Sequence, residues 1–449
     1  MIDQIPLQPD LLAARWQMAL SLGWHIVIAC FGVGFPVLIL FAEWLGLRGD
    51  KVYLALAQRW ARAAGVLFAI GAVSGTILSF EMGILWPGLI GTYGSVIGLP
   101  FALEGIAFFI EAIFLGIYLY GWGHLAPRAH LLSGLPIPIA GVASAWFVVT
   151  ANAWMNQPSG FRLVDGQVTD VDPFAAIFNP ATAVQTTHMI VAAFMVAGFG
   201  VASVYAWALL RGRRSAYERR GFLIGFVAAA LLTVPQIVVG DWAARFLAEY
   251  QPIKLAAIEG LYVSQRQAPL TIGGLPIDGK MLYGIQIRGG LSWLAFQDVN
   301  AEVQGLDATP PGDRPPVLPV HVAFQLMVGI GFGLLFLSLW LAWSWWRKRR
   351  IPASRLFLLA CVAAGPAAAL ALEAGWIVTE VGRQPWIVYK LMRVEEAVTA
   401  VAGIRYGLFA LIALYTALTV AAVFVLRRLA ASPLDLADAV TPGIRTGRA

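Results

Sequence analysis

The stretch RLFLLACVAAGPAAALALEAGWIV at residues 355–378 decides the class of this chain. A helix rises about 1.5 Å per residue, so a stretch of this length crosses the roughly 30 Å hydrocarbon core of a bilayer. Hydrophobic residues make up 59% of the chain and charged residues 12%, about half the charged fraction of a soluble protein. The sequence therefore predicts an all-α polytopic membrane protein with nine transmembrane helices, at residues 18–44, 57–80, 98–120, 130–151, 183–210, 220–240, 319–344, 355–378 and 402–427.

The distribution of arginine and lysine predicts the orientation of the chain. Basic residues cluster after spans one, three, five, seven and nine, whereas the alternate loops are poor in positive charge or long. The positive-inside rule then places the N-terminus outside and the C-terminus in the cytoplasm. We interpret the net charge of +6 as this topology signal, so we expect no nucleic-acid partner. The first span is too long for a signal-peptide core, so we expect no cleavable signal.

The chain is expected to divide into four segments. Transmembrane helices one to six occupy residues 1–240, an extracytoplasmic loop occupies 241–318, helices seven to nine occupy 319–428, and a cytoplasmic tail occupies 429–449. A loop as long as the one between helices six and seven is usually functional or disordered. Its first third, up to Glu259, has a helical pattern, and its proline-rich end at 309–316 is predicted to be extended and polyproline-like.

Two ionisable residues lie at the mouth of span eight, where the quoted stretch continues as TEVGRQPW at residues 379–386. These are Glu380 and Arg383. Charged groups at membrane depth are costly and persist mainly where a functional site requires them. The alternative is that Arg383 snorkels toward water and Glu380 simply pairs with it.

Side chains that bind metal ions are few in this sequence. Both cysteines lie in apolar spans and are expected to be buried packing residues, and without a CxxCH motif any haem is held without thioether bonds. There are five histidines. Two of them, His124 and His130, flank a predicted inner loop and are expected to be solvated. The other three lie in or beside spans, namely His25, His188 and His321.

The remaining polar candidates share one depth. Counting along each span from its outer end at about 1.5 Å per residue places six residues in the outer half of the bilayer. Glu104 and Glu111, the two carboxylates on span three, are seven residues apart, which puts them on one helix face about 10 Å apart. Histidine and methionine can serve as axial ligands of haem iron, although a lone methionine more often fills an apolar gap. The six are His25, His188, Met327, Glu104, Glu111 and Glu380.

In this order, these residues and their surroundings resemble the large, quinol-oxidising subunit of cytochrome bd-type oxidases, including the cyanide-insensitive branch. The resemblance covers essentially the whole chain. It is carried by Arg15, Trp24-His25 and Glu43, by EGIAFFIE at 104–111, by ANAWM at 151–155 with Pro158 and Gly160, by His188, by QPIKLAAIE at 251–259, by HVAFQLMVG at 321–329, and by the GWxxxExGRQPW pattern at 375–386.

The resemblance implies three haems. His188 and Met327 correspond to the axial ligands of a low-spin haem b. His25 and Glu380 correspond to the axial ligands of two high-spin haems, a haem b and a haem d or a b-type haem in its place, and which residue holds which haem stays open. Trp376 is expected to support the haems together with Arg383.

The resemblance also implies where protons and quinol are handled. Glu104 and Glu111 correspond to acidic residues beside the oxygen-reducing centre, and Lys254 and Glu259 to loop residues tied to quinol binding.

The sequence departs from the family pattern in two places. Gln325 occupies a position where some family members carry arginine, which removes a positive charge near the low-spin haem, and the loop is of the shorter type.

The implied function is a terminal respiratory oxidase of the bacterial cytoplasmic membrane that oxidises ubiquinol or menaquinol, reduces dioxygen to water and generates a proton motive force without pumping. The implied partners are subunit II and a small single-helix subunit.

Two other classes of function stay open. A cytochrome b that does not reduce oxygen leaves His25 and Glu380 unexplained, and a secondary transporter is expected to show a repeat that this sequence lacks.

Overall fold

A computed structural model of the chain describes residues 10–432. Within that range fourteen helices follow one another along the chain. They are α1 Leu11–Gly46, α2 Lys51–Leu85, α3 Pro87–Gly121, α4 Pro127–Gly134, α5 Pro136–Asn156, α6 Pro173–Ile177, α7 Thr182–Leu210, α8 Ala216–Tyr250, α9 Pro252–Glu259, α10 Gly290–Phe296, α11 Val317–Lys348, α12 Arg355–Val381, α13 Val394–Ala397 and α14 Ile404–Ala431.

The prediction of nine membrane spans is confirmed for the described part of the chain. Nine helical segments are long and apolar enough to cross a bilayer, and the fourth of them joins α4 and α5 over Pro127–Asn156. The predicted tail at 429–449 lies outside the described residues from 433 onward. Of the nine, α14 is the most exposed, since Tyr415 is its single buried residue. Both cysteines are free and buried, as expected.

The loop between spans six and seven begins later than the sequence suggests. Helix α8 does not end at residue 240 but continues to Tyr250, and α9 follows at once, which confirms the predicted helical character up to Glu259. The two helices separate at Gln251 because the residue before a proline is forced out of helical geometry, and Gln251 has φ −139° and ψ 58°. The loop therefore starts directly at the end of a membrane helix, with the single non-helical residue Gln251 between them.

Short antiparallel strand pairs build the rest of the surface at this end of the bundle. The strands are β1 Arg162–Val164, β2 Gln167–Thr169, β3 Gln265–Arg266, β4 Leu270–Ile272, β5 Leu275–Ile277, β6 Lys280–Leu282, β7 Ile285–Ile287, β8 Glu302–Val303, β9 Trp386–Val388 and β10 Met392–Arg393. The β5–β6 hairpin is nested inside the β4–β7 pair. Its Asp278-Gly279 turn has φ of 49° and 73°, the positive pair that a two-residue hairpin loop requires.

One predicted feature of this loop is wrong. The proline-rich end at 309–316 was expected to be extended throughout, but Pro311–Asp313 form a turn of 3₁₀ helix. The turn is stabilised locally, because the Asp313 backbone N–H donates to the Pro310 carbonyl at 2.9 Å. Arg393 then pairs with the Asp313 carboxylate and fixes this turn against the segment that follows α12.

Helices α7 and α12 pack closely through small residues. A Cβ on Gly365 of α12 would lie 2.8 Å from Cβ of Ser203 and 3.1 Å from Cα of Gly200, both on α7, so the two backbones are nearly in contact. Pro366 has no N–H to give to the Val362 carbonyl one turn earlier. The Ser203 hydroxyl replaces that bond across the helix interface at 2.6 Å.

The expectation that His130 is solvated is wrong, whereas His124 is exposed as expected. His130 is fully buried between α1, α3 and α4. Its Nδ1 lies 2.7 Å from Glu43 Oε1, and Tyr118 donates its hydroxyl to Glu43 Oε2 at 2.6 Å. His130 Nε2 faces the Tyr118 carbonyl at 3.0 Å. We call Glu43, Tyr118 and His130 the inner clamp, because they tie three helices together at the end of the bundle opposite the loop.

Candidate functional site

The candidate site lies at the loop end, which we define as the end of the bundle that carries residues 251–316. The N-terminal halves of α1, α7 and α11 meet the C-terminal halves of α5, α8 and α12 there. Among the described residues no group of three or more His, Cys, Asp or Glu side chains could hold a metal ion. Several polar side chains at this end have buried atoms without a hydrogen-bond partner.

His25 on α1 is held in a defined orientation by Ser74 on α2. The two side chains lie 2.7 Å apart, from Nδ1 to Oγ. The Gly71 carbonyl lies 3.0 Å from the same hydroxyl and can take its proton. With the hydroxyl turned to Gly71, Ser74 accepts from Nδ1–H, and the Nε2 lone pair is left for a ligand. This is the arrangement by which a second group fixes the tautomer of a metal-binding histidine.

His188 on α7 has a bonding capacity that the protein does not use. Its Nε2 lies 3.2 Å from the amide nitrogen of Gln236 on α8, while its Nδ1 is buried without a partner. Gln236 Oε1 is likewise buried and unpartnered. Buried polar atoms almost always find a partner, so this pair fits a site completed by a bound group.

Met327 lies on α11 and faces the small residue Gly375 on α12. A Cβ at Gly375 would approach the Met327 sulfur to 3.1 Å, so a larger residue there would displace the sulfur. Trp376, the next residue, is half-buried and packs against the main core. The glycine of the GWxxxExGRQPW pattern thus keeps space beside the methionine, and the tryptophan anchors the same turn of α12.

Glu380 is bonded through both carboxylate oxygens. Asn152 on α5 donates to Oε1, and Arg383 donates to Oε2 at 2.6 Å. The pairing of Glu380 with Arg383 is thus present, but Arg383 does not snorkel, since it is 3% exposed. Its Nε and Nη1 are buried and have no partner. A guanidinium with two free donors beside a carboxylate it already neutralises fits a second, bound acid group such as a haem propionate.

Lys254 on α9 lies beside this pair. Its ammonium donates to Asn156 Oδ1 at 2.7 Å and to the Thr379 carbonyl at 3.4 Å. Burial and the charge of Arg383 lower the pKa of Lys254 and the charge of Glu380 raises it, and the net result is a pKa of about 7. Lys254 and Arg383 also line a cavity of about 350 Å³, together with residues of 309–315 and 382–390.

Glu259 ends the same short helix but faces elsewhere. Lys254 and Glu259 are five residues apart, which turns their side chains about 140° from each other. Glu259 is 4% exposed and its Oε2 has no partner. Burial raises its pKa to about 7, against a hydrogen bond from the Thr271 backbone. The two are not a solvated ion pair, since both are buried and no ion pair joins them in the described chain.

Gln325 and His321 on α11 hold the hairpin that covers Glu259. Gln325 accepts from the Gly273 N–H and donates to the Thr271 carbonyl, each at 2.9 Å. His321 lies with Nδ1 2.7 Å from the Ile258 carbonyl and Nε2 3.1 Å from the Gly273 carbonyl. Because both ring nitrogens of His321 are engaged with backbone, this histidine positions the loop and is unsuited to bind iron.

Glu104 and Glu111 on α3 both face α5, which confirms that they share a helix face. The prediction that Glu111 lies in the outer half is wrong, because α3 starts at the loop end and Glu111 is in its C-terminal half. Glu104 accepts from the Ser144 hydroxyl at 2.9 Å. The Glu111 carboxyl lies between Gly32 on α1 and Gly141 on α5, where a Cβ on either glycine would be 3.5 Å from its oxygens. The two glycines thus leave room around a 7% exposed acid.

Sequence reasoning missed two acids at this end, the buried Glu81 on α2 and the half-buried Glu373 on α12. Glu373 precedes Glu380 by seven residues on α12, the same spacing that drew attention to Glu104 and Glu111. Its Oε1 is buried without a partner, and its Oε2 would lie 3.1 Å from a Cβ on Gly23, two residues before His25. The spacing alone was signal enough to find Glu373. Asn152, Asn156 and Gln236 carry no comparable signal, since single amides are common in membrane helices.

Comparisons with known proteins identify the family of the chain. A family model described as cytochrome bd terminal oxidase subunit I matches residues 13–433. The chain is 35% identical over 427 residues to the putative cytochrome bd menaquinol oxidase subunit I of Bacillus subtilis (strain 168), covering 93% of this chain and 96% of that one. It is 30% identical over 418 residues to the cytochrome bd ubiquinol oxidase subunit 1 of the same organism, covering 90% and 89%.

A solved structure extends the match to three dimensions. The bd oxidase from Geobacillus thermodenitrificans superimposes with a TM-score of 0.87 at 39% identity. The superposition covers 94% of this chain and 98% of the matched chain. Sequence and fold therefore agree over nearly the full length of the chain.

Proposed function

Because the chain belongs to the family of cytochrome bd terminal oxidase subunit I, we propose how its own residues share the work of that enzyme. The family oxidises quinol and reduces dioxygen with haem as its cofactor, and it works with a second subunit. The chain is accordingly the haem-bearing, multi-pass subunit of a quinol:oxygen oxidoreductase in a bacterial membrane.

His188 and Met327 are proposed to hold a low-spin haem b. The unpartnered buried atoms of His188 and Gln236 and the space kept beside the Met327 sulfur support this assignment. His25 and Glu380 are proposed to hold the two high-spin haems, a haem b and a haem d or b-type substitute. The tautomer that Ser74 imposes on His25 and the free donors of Arg383 support this part. Bound haem supplies one-electron transfer and the oxygen-binding position.

Lys254 and Glu259 are proposed to handle the quinol. Both have pKa values near 7, so each can exchange a proton with a quinol hydroxyl at physiological pH. Lys254 lies toward Glu380, whereas Glu259 lies toward the β4–β7 strand pair. A ubiquinol or a menaquinol is the proposed donor, since relatives named for each match this chain.

The loop end is proposed to face outward, with the N-terminus outside and the C-terminus in the cytoplasm, following the positive-inside rule. Protons from quinol then leave outside, whereas those needed for water come from the cytoplasm. Glu104 and Glu111 are proposed to hold protons beside the oxygen-reducing centre. The movement of protons from the cytoplasm across most of the bilayer then generates a proton motive force without pumping. A small single-helix subunit is proposed as a further partner.

The observation that carries this proposal is the clustering of unpartnered buried atoms at the loop end alongside a histidine preset to bind through Nε2. The test is a reduced-minus-oxidised absorption spectrum of the purified complex combined with quinol-driven oxygen uptake. Low-spin and high-spin haem signals with oxygen uptake are expected. A single b-type signal without oxygen uptake indicates a simple cytochrome b, and no haem signal indicates a transporter.

A further inference from the structure

A continuous line of hydrogen bonds joins Lys254 to Glu380. The Lys254 ammonium donates to Asn156 Oδ1 at 2.7 Å, and the Asn156 amide donates to Asn152 Oδ1 at 3.1 Å. The Asn152 amide then donates to Glu380 Oε1. We propose that Asn152 and Asn156 are positioning residues that couple the quinol side of the site to the carboxylate of Glu380. This inference rests on the proposed function of Lys254 and Glu380.

The direction of the line is the first argument. Each asparagine accepts through its carbonyl and donates through its amide, so both amides point the same way. The line begins at a cation and ends at an anion, which is the arrangement in which successive hydrogen bonds polarise and strengthen one another. Each position in the line therefore requires a side chain that both accepts and donates a hydrogen bond.

The placement of the two asparagines is the second argument. They are four residues apart in the last turns of α5, so they lie one above the other on one helix face. Asn156 is fully buried, and its backbone carbonyl is bonded by the Gln251 amide at 2.7 Å. Because Gln251 is the residue between α8 and α9, the orientation of Asn156 is fixed by the same joint that places Lys254.

The third argument concerns Glu380. Its two oxygens are held from opposite sides, Oε1 by Asn152 and Oε2 by Arg383. Arg383 has two unpartnered donor atoms, so its guanidinium can shift to bond a bound group. Asn152 is held in place by the hydrogen bond from Asn156. The amide line is therefore the part of the surroundings that fixes the carboxylate, and a disturbance at Lys254 is transmitted to Glu380 through it.

The test is a double-mutant cycle on the intact complex. Asn152 and Lys254 are separated by Asn156 in the line, so Asn152→Leu and Lys254→Met probe coupling carried through the line. Each variant is compared for the KM of a short-chain quinol, for kcat, and for the spectrum of the high-spin haems. We expect Asn152→Leu to raise the quinol KM about fivefold and to shift the high-spin bands, with the low-spin band unchanged. The double variant should show a KM well below the product of the two single effects.

Asn179→Leu is the matched control. Asn179 is also a buried asparagine at the loop end, but its bonds go only to the nearby backbone, at Ala176 and Ala181. It should lower the unfolding temperature without moving the quinol KM or the high-spin spectrum. Should Asn152→Leu not accumulate, Asn156→Asp serves instead, because aspartate still accepts from Lys254 but has no N–H for Asn152.

The two possible failures are distinguishable. A wild-type complex without haem signals or quinol-driven oxygen uptake would overturn the proposed function and this inference with it. An active wild type in which the Asn152 and Lys254 effects on KM multiply to within about twofold would overturn the inference alone. An unchanged KM and high-spin spectrum in Asn152→Leu would do the same.

Discussion

We compare the inner clamp with the loop-end cluster, which consists of His188, Lys254, Glu380 and Arg383. Both are polar, but they differ in how many of their buried atoms have hydrogen-bond partners. In the clamp, both oxygens of Glu43 and both nitrogens of His130 have partners at 2.6–3.0 Å. At the loop end, Arg383 has two buried donors without partners, and His188 has one unpartnered buried nitrogen. A saturated cluster has no capacity left for a ligand, so it serves to hold helices together. A cluster with unpartnered buried donors and acceptors fits a bound group that supplies the missing hydrogen bonds.

The charge balance of the two clusters differs in the same way. The clamp combines one acid, one histidine and a neutral phenol. The loop end brings two basic side chains, Lys254 and Arg383, to the single carboxylate of Glu380, beside a cavity of about 350 Å³. The surplus of positive charge favours a bound acid group, whereas the clamp favours none.

The largest effect is expected from Glu380→Gln. Glutamine keeps the size of the side chain but removes the anionic ligand and the partner of Arg383, which leaves a buried cation unpaired. We expect loss of one high-spin haem and of oxygen reduction, while the low-spin haem remains reducible by quinol, as measured by absorption spectra and oxygen uptake. Glu395→Gln is the control, because Glu395 pairs with Arg15 at the same end. A fully haem-loaded, active Glu380→Gln complex would refute the ligand assignment.

The next effect concerns the pH dependence of quinol oxidation. Only unprotonated Glu259 can accept a proton from quinol, and its raised pKa makes kcat/KM increase as the pH rises through about 7. Only protonated Lys254 can donate to a quinol oxygen, and its lowered pKa makes kcat/KM decrease above about 7. The wild type should therefore show a narrow, bell-shaped dependence of kcat/KM on pH, with its maximum near pH 7.

Substitutions separate the two limbs of that bell. Glu259→Gln should remove the rising limb and slow quinol turnover about 10²-fold, and Lys254→Met should remove the falling limb. Glu302→Gln, at an exposed acid of the same loop, provides the control. A bell unchanged in position and width in both variants would contradict the assignment of these residues to quinol.

Met327→Leu should have a smaller effect on turnover. Leucine preserves apolar volume but cannot bind iron, so the low-spin haem should become high-spin and electron transfer from quinol should slow about tenfold. The absorption and electron paramagnetic resonance spectra report the spin state directly. Met195→Leu, at a buried methionine of the main core, should leave both spectra unchanged. A low-spin spectrum retained in Met327→Leu rules the methionine out.

The smallest functional effect is expected at the inner clamp. Glu43→Gln weakens the bonds to Tyr118 and His130 and should cost about 1–3 kcal/mol of stability, which is seen as a lower unfolding temperature. Haem spectra and quinol kinetics should match the wild type, because the clamp has no free bonding capacity. Altered haem spectra at an unchanged unfolding temperature would show that the comparison between the two clusters does not hold.

The position of His130 shows where sequence reasoning stopped. Next to a short polar loop, a histidine is expected to meet water. Its burial depends on Glu43, 87 residues earlier, and on Tyr118 of another helix. Nothing in the local sequence records this contact, because the acid and the histidine become neighbours only when α1, α3 and α4 pack.

The sequence by itself determined the nine spans, the long loop and the identity of the polar candidate residues. These properties depend on the length, hydropathy and spacing of contiguous segments, which packing does not alter. The tertiary structure alone decided which side chains meet. Asn152 and Glu380 are 228 positions apart, and Lys254 and Asn156 are 98 apart. Because a hydrogen bond requires approach to within about 3 Å, only the packing of α5, α9 and α12 could turn separate polar residues into one site.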